Sequence, residues 1–297
     1  MTNMTDLIAT TLPPSVRVHG GTMPRITVES AQARAEVYFQ GAHVTAWHPA
    51  SSRDPVLWMS RASLFEPGRP IRGGVPICFP WFGPHPADPS APAHGFARVR
   101  DWVLVDAQET SGDVTLVLEL AGEALSPQWA HRFRARHRIT IGTVLRLELE
   151  VHNDDADAFT FEEALHSYFA VRDIHETTIT GLEGTEYLDK VGGLTRRREG
   201  RDPLCFSGET DRVYLDTQAD CVIHDAAGQR RISIGKAGSD ATVVWNPWIA
   251  KARAMPDFGD NEWPGMVCVE TGNVGLCART LPPGASQAMS AVIKVME

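Results

Sequence analysis

Val144-Leu-Arg-Leu-Glu-Leu-Glu-Val-His152 decides the fold class. Leu145, Leu147, Leu149 and Val151 alternate with Arg146, Glu148, Glu150 and His152. Successive side chains of a strand point to opposite faces, so this pattern predicts one buried face and one wet face. Working outward, Phe133–Ile141 and Val114–Leu120 read as strands upstream, and Arg231–Gly235 and Thr242–Asn246 as strands downstream. All are bounded by Gly, Asp and Pro turns. Helical periodicity is weak, and only Gly122–Trp129 predicts a short helical turn. The 25 Gly and 20 Pro are spread along the chain, as many strands joined by turns require. The expectation is an all-β antiparallel sandwich with loops gathered over one sheet face.

The chain has 297 residues, 43% of them hydrophobic, enough for a sizeable core. No repeat, low-complexity tract or linker divides it, so residues 1–297 are expected to form a single domain, with 1–20 a peripheral segment. A formal net charge of -9 argues against a nucleic-acid groove or an anionic membrane surface. It leaves room for a small anionic substrate held by a few local Arg side chains. Cys78, Cys205, Cys221, Cys268 and Cys277 are odd in number and lack CxxC spacing. They read as buried free thiols of a reducing compartment, neither a disulfide framework nor a zinc site. The N-terminal MTNMTDLIATTLPPS has no basic region and too short an apolar stretch for a signal peptide. No run reaches the ~18 apolar residues of a membrane span, and a cytoplasmic location is expected.

Four segments place titratable groups beside apolar or aromatic ones: Arg72-Gly-Gly-Val-Pro-Ile-Cys-Phe-Pro-Trp-Phe-Gly83, His94-Gly-Phe-Ala-Arg98, Phe161-Glu-Glu-Ala-Leu-His-Ser-Tyr-Phe169 and Val267-Cys-Val-Glu-Thr-Gly-Asn273. None is a P-loop, a dinucleotide fingerprint, HExxH or GxSxG. If Phe161–Phe169 is one strand, Glu162, Ala164, His166 and Tyr168 share a face, opposite Phe161, Glu163, Leu165 and Ser167. A carboxylate and a phenol then flank His166. In Val267–Gly272, Glu270 shares a face with Cys268, opposite Val267, Val269 and Thr271, so a core strand holds its backbone. Spacing alone leaves each of His166 and Glu270 open to a purely structural role.

Arg72 precedes Gly73-Gly74, where the backbone can approach a ligand closely. Arg98 closes a segment that begins His94-Gly95. Guanidinium groups suit bidentate phosphate recognition, though either Arg can equally pair with a carboxylate. The Gly- and Pro-rich stretch 67–92 is long for a loop and carries large aromatics, which marks it as functional or as cover for a sheet edge. Trp81, Trp245 and Trp248 can stack on a sugar or pack in the core.

Together the stretches PIRGGVPICFPWFG, AHGFARVRDW, FEEALHSYF, TDRVYLDT and VVWNPWIAKARAMPDFGDNEWPGMVCVETGNV resemble the aldose 1-epimerase superfamily, in its glucose-6-phosphate 1-epimerase branch. They occur in order from about Gly41 to Asn273. The resemblance implies a galactose-mutarotase-like β-supersandwich that interconverts the anomers of a hexose 6-phosphate. Carried over motif by motif, His166 is the general acid and Glu270 the general base. Arg72, His94, Arg98 and Asp211 bind substrate, the two Arg through its phosphate. The resemblance implies a monomer with no cofactor and no metal. One departure stands out: members of the family often have Gln directly before HGFAR, and this chain has Ala93. For the chemistry, His166 is expected protonated and Glu270 ionised before turnover. A glycosidase using Glu162 or Glu163 with Glu270, and a sugar-binding protein without catalysis, are the rival readings.

Overall fold

The computed structural model describes residues 6–296. Two large antiparallel sheets dominate it. One has nine strands, in the order Leu204–Cys205, Thr177–Thr180, Cys221–Asp225, Arg230–Ala237, Ser286–Met296, Leu145–Asn153, Phe133–Ile141, Asp113–Gly122 and Val103–Thr110. The alternating stretch that opened the sequence analysis lies inside it, between Ser286–Met296 and Phe133–Ile141. Leu145, Leu147, Leu149 and Val151 are all fully buried. Each contributes roughly 1.5–3 kcal/mol of transfer free energy, against which the entropy of ordering the chain is set. The wet face carries cross-strand charge pairs, among them Arg138 with Glu148 and Arg136 with Glu119.

The second sheet runs Thr195–Arg198, Glu186–Asp189, Thr210–Tyr214, Ala241–Asn246, Met266–Asn273, Glu163–Leu165 and Ile77–Cys78, and Tyr168–Ala170 also pairs with Met266–Asn273. Its two faces differ in task. Leu165, Val244, Val267 and Val269 join Leu147, Ile232 and Ile293 of the nine-stranded sheet in one continuous core. The opposite face carries Val243, Trp245, Cys268 and Glu270, over which the loops gather. A smaller four-stranded sheet, Val16–His19 through His43–Pro49, flanks the core.

Several local expectations change. Gly122–Trp129 forms no helix: the Asp113–Gly122 strand runs into bends and a Ser126–Trp129 bridge. Phe161–Phe169 is three short strands, Phe159–Phe161, Glu163–Leu165 and Tyr168–Ala170. Cys205 is exposed, whereas the other four cysteines are buried, and all five are free thiols. Residues 1–5 of the segment expected to be peripheral lie outside the described residues; the rest supplies the edge strand Val16–His19 and a core side chain, Leu7. Among the described residues no helix is long and apolar enough to cross a membrane.

Candidate active site

The Arg72–Cys78 stretch builds the wall on which the site stands. Gly73 and Gly74 adopt φ of 118° and 61° and pack their α-carbons against the backbone of Trp58–Met59 and Val44–Thr45. A Cβ at either position would strike main chain, which only glycine avoids. The straightened segment then accepts the backbone amides of Tyr168, at Gly74 O, and His166, at Pro76 O. These bonds hold the interruption between Leu165 and Tyr168 in place. Gly95, at φ 73°, presses against Phe79 in the same way and seats the His94 turn.

His166 leaves this interruption toward Glu270, with His166 Nδ1 3.3 Å from Glu270 Oε1. The contact is close but not aligned as a hydrogen bond: His166 Nδ1 and Glu270 Oε2 have no hydrogen-bond partner among the described residues. The imidazole stacks on Tyr168, ring centroids 4.7 Å apart and planes within 7°. Arg72 Nη1 donates to Tyr168 Oη at 3.0 Å, and the same guanidinium grips Asp257 through Nε and Nη2 at 3.0–3.2 Å.

Burial governs the protonation of the pair. Desolvation, then Arg72, Arg98 and Lys190, push the His166 imidazolium well below its ordinary range. Desolvation and Asp211 push the Glu270 carboxyl well above its own. Both directions favour the neutral forms, His166 as imidazole and Glu270 as carboxylic acid. This reverses the charge state expected from sequence. Opposite charges do favour each other at this distance, but two ions without hydrogen bonds to support them are too costly in a buried site.

One cavity of about 270 Å³ is lined by all six residues singled out in the sequence: Arg72, His94, Arg98, His166, Asp211 and Glu270. That volume lies near the small end of ligand pockets, which span roughly 300–1,000 Å³, and suits one sugar ring with a substituent. Arg98 is nine-tenths buried and spends Nη2 on Ala93 O at 2.7 Å, while its Nε has no partner among the described residues. His94 Nδ1 accepts from the Gly83 amide at 3.3 Å. Its proton is therefore left on Nε2, and burial keeps the ring neutral.

The sequence reading missed Lys190 and Lys251, which also line the cavity. Asp211 lies between them, 3.4 Å from Lys190 Nζ and 3.9 Å from Lys251 Nζ. Lys190 carries no motif; it follows the Glu186–Asp189 strand, and only the pairing of that strand with Thr210–Tyr214 brings it to Asp211. Lys251 and Asp257 lie inside a block that was read whole, so their signal was present but unresolved. Of the three tryptophans considered for stacking, only Trp245 reaches the cavity. Trp81 donates to Pro92 O within the core, and Trp248 packs on Trp263.

Glu162 and Glu163 do not line the cavity. Glu162 ties two loops, accepting from the amides of Phe82 and Gly275. Glu163 is fully buried, accepts from Asn273 Nδ2 at 2.8 Å, and is pushed up to about 8 by desolvation. This removes the carboxylate pair that a glycosidase reading had assigned.

Residues 24–294 match the aldose 1-epimerase family. A Salmonella typhimurium protein provisionally named glucose-6-phosphate 1-epimerase is 39% identical over 247 residues, 83% of this chain and 82% of its own. A Cenchrus ciliaris protein with the same provisional name is 37% identical, covering 84% and 78% of the two chains. The crystal structure of a Salmonella typhimurium protein provisionally described as a mutarotase superposes with a TM-score of 0.90 at 34% identity, covering 97% and 95% of the two chains. A galactose mutarotase-like protein from Lactobacillus casei shares the fold at 18% identity, with a TM-score of 0.71 and coverage of 92% and 100%. The sandwich is thus of the galactose-mutarotase type, and the chain belongs to the aldose 1-epimerase family.

Proposed function

We propose that this protein interconverts the α and β anomers of a hexose 6-phosphate, glucose 6-phosphate foremost. One observation carries the reading: a buried imidazole and a buried carboxyl group meet at 3.3 Å in a sugar-sized cavity lined by Arg72, Arg98, Lys190 and Lys251. The provisional names of the relatives agree with it.

Ring opening needs a base at the C1 hydroxyl and an acid at the ring oxygen. A phosphate bound among the four cations offsets the positive field that depresses His166, and the Glu270 proton moves to the imidazole. Glu270 then takes the C1 hydroxyl proton as His166 protonates O5 and the C1–O5 bond breaks. The products are an open-chain aldehyde, a protonated Glu270 and a neutral His166. That is the protonation state which burial favours, so burial of the pair favours opening. Rotation about C1–C2 and closure by the reverse transfers give the other anomer. Each transfer is worth roughly 10²–10⁴-fold.

Asp211, held between two lysines, accepts from sugar hydroxyls in this reading. His94, which lines the cavity beside Ala93, offers its Nε2–H to a sugar hydroxyl. The test is exchange NMR of glucose 6-phosphate anomers with catalytic amounts of protein. Faster exchange supports the reading. Binding without faster exchange makes the protein a sugar-phosphate receptor instead.

A further inference from the structure

We propose that His166, Cys268 and Glu270 form an inhibitory binding site for a thiophilic divalent cation, of the zinc or cadmium kind. All three side chains are buried, and one ligand atom from each lies within 4.8 Å of the other two. Strand geometry brings them together: Cys268 and Glu270 share a face of Met266–Asn273, and His166 meets them from the neighbouring chain segment. Two of the donors, His166 Nδ1 and Glu270 Oε2, are buried without a hydrogen-bond partner among the described residues. Unsatisfied buried polar atoms are costly, and a metal ion would satisfy both.

The donor set is one nitrogen, one sulfur and one oxygen, which suits a borderline or soft metal better than calcium or magnesium. Bonds of about 2.0–2.1 Å to N, 2.0–2.2 Å to O and 2.3 Å to S put the ligand atoms of a tetrahedral zinc roughly 3.3–3.7 Å apart. The 3.3 Å from His166 Nδ1 to Glu270 Oε1 already fits, and rotation about the last side-chain torsion brings the unpartnered Oε2 to that place. Closing the 4.8 Å limit to that range needs at most a shift of roughly 1.5 Å, within reach of side-chain torsions. The fourth position opens on the cavity that His166 and Glu270 line.

Arg72, Arg98 and Lys190 oppose any added positive charge at His166. A divalent ion adds none. Binding releases two protons, one from the Cys268 thiol and one from the His166–Glu270 pair, and the ion takes their place. The result is a neutral imidazole, a thiolate and a carboxylate around one 2+ charge, so the net charge is unchanged. An occupied site withdraws both proton carriers and stops anomer exchange. That inhibitory consequence rests on the acid/base reading above; the metal site itself does not.

The test uses the full chain with Cys205→Ser, so that the exposed thiol contributes nothing. Cadmium is titrated against the ultraviolet thiolate-to-cadmium charge-transfer band, and exchange of glucose 6-phosphate anomers is followed in parallel. One equivalent is expected to raise the band and suppress exchange, and a chelator to restore exchange. In Cys268→Ala the band should vanish and the inhibiting concentration should rise by about tenfold or more, with metal-free exchange retained. No band, or inhibition equally strong in Cys268→Ala, overturns the proposal. A Cys268-dependent band in a protein without exchange activity upholds the metal site and removes the epimerase reading instead.

Discussion

His166 and Glu270 face each other across adjacent antiparallel segments in the register that pairs Leu165 with Thr271 and Tyr168 with Cys268. The register is the same on both sides of the break at His166–Ser167, so the interruption inserts no residue. Directly opposed side chains on one face of such a pair have Cβ atoms about 4.5–5.5 Å apart, which places the two polar ends in contact. Bonding to the Met266–Asn273 strand carries across the break through the Val269 amide and Ser167 O, while the His166 amide, on the other edge, bonds Pro76 O in register with the Ile77–Cys78 strand. His166 and Tyr168 share the same face, and the ring lies flat on Tyr168.

Glu270→Gln keeps the shape of the carboxyl group and removes its proton chemistry. Anomer exchange should fall by on the order of 10²–10⁴-fold, with circular dichroism and melting behaviour close to the parent. His166→Asn should fall by a similar factor. Exchange near the parent rate in either folded variant removes that residue from the mechanism.

Arg72 binds Asp257 and Tyr168, and its remaining donor capacity goes to the substrate phosphate. Hydrogen bonds to charged groups are worth about 1.5–3 kcal/mol. Arg72→Ala should therefore raise KM for glucose 6-phosphate by about 10–100-fold, and KM for unphosphorylated glucose far less. Equal losses for the two sugars would refute the phosphate role. Arg72→Lys should recover only part of the loss, because an ammonium cannot reproduce the fork on Asp257.

How much of this was legible in the sequence depends on how far each feature reaches along the chain. Period-2 patterns such as Leu145–Val151 are local and specify strands directly, so the all-β class followed from them. The six candidate residues were identified by motif, and alternation put His166 and Tyr168 on one face, yet no local pattern shows that strand pairing sets His166 directly opposite Glu270. Glu163 defeated local reading too: its partner Asn273 lies on another strand, so alternation could not show that it is buried and bonded. The charge state of the pair was missed for a related reason. Sequence suggests opposite charges, whereas their mutual burial, which favours the neutral forms, exists only in the assembled cavity.

Lys190 lowers the proton affinity of both members of the pair, being among the groups that depress His166 and the one that partly offsets the rise of Glu270. Lys190→Met removes that field. Both groups should then hold their protons to higher pH, so both limbs of the bell-shaped kcat/KM profile should move alkaline. A profile that loses height without moving would show that Lys190 acts on substrate binding alone.

Glu163 gives the fold a pH dependence separate from catalysis. Its folded pKa of about 8 lies above the ordinary carboxyl value of 4.5. A raised value means that the folded state holds the proton while the unfolded chain has released it. The stabilising contribution is therefore complete below about pH 4.5 and is lost as pH rises through about 8. At about 1.4 kcal/mol per pH unit over that interval, the loss is on the order of a few kcal/mol. Glu163→Gln keeps an acceptor for Asn273 Nδ2 and has no proton to lose. Denaturant melts of the variant should show a flatter stability profile between pH 5 and 8, given roughly the same interval, and greater stability than the parent at the alkaline end. Parallel profiles for the two proteins would mean that Glu163 is already ionised in the folded state, its charge balanced by Arg279, a cation that favours ionisation.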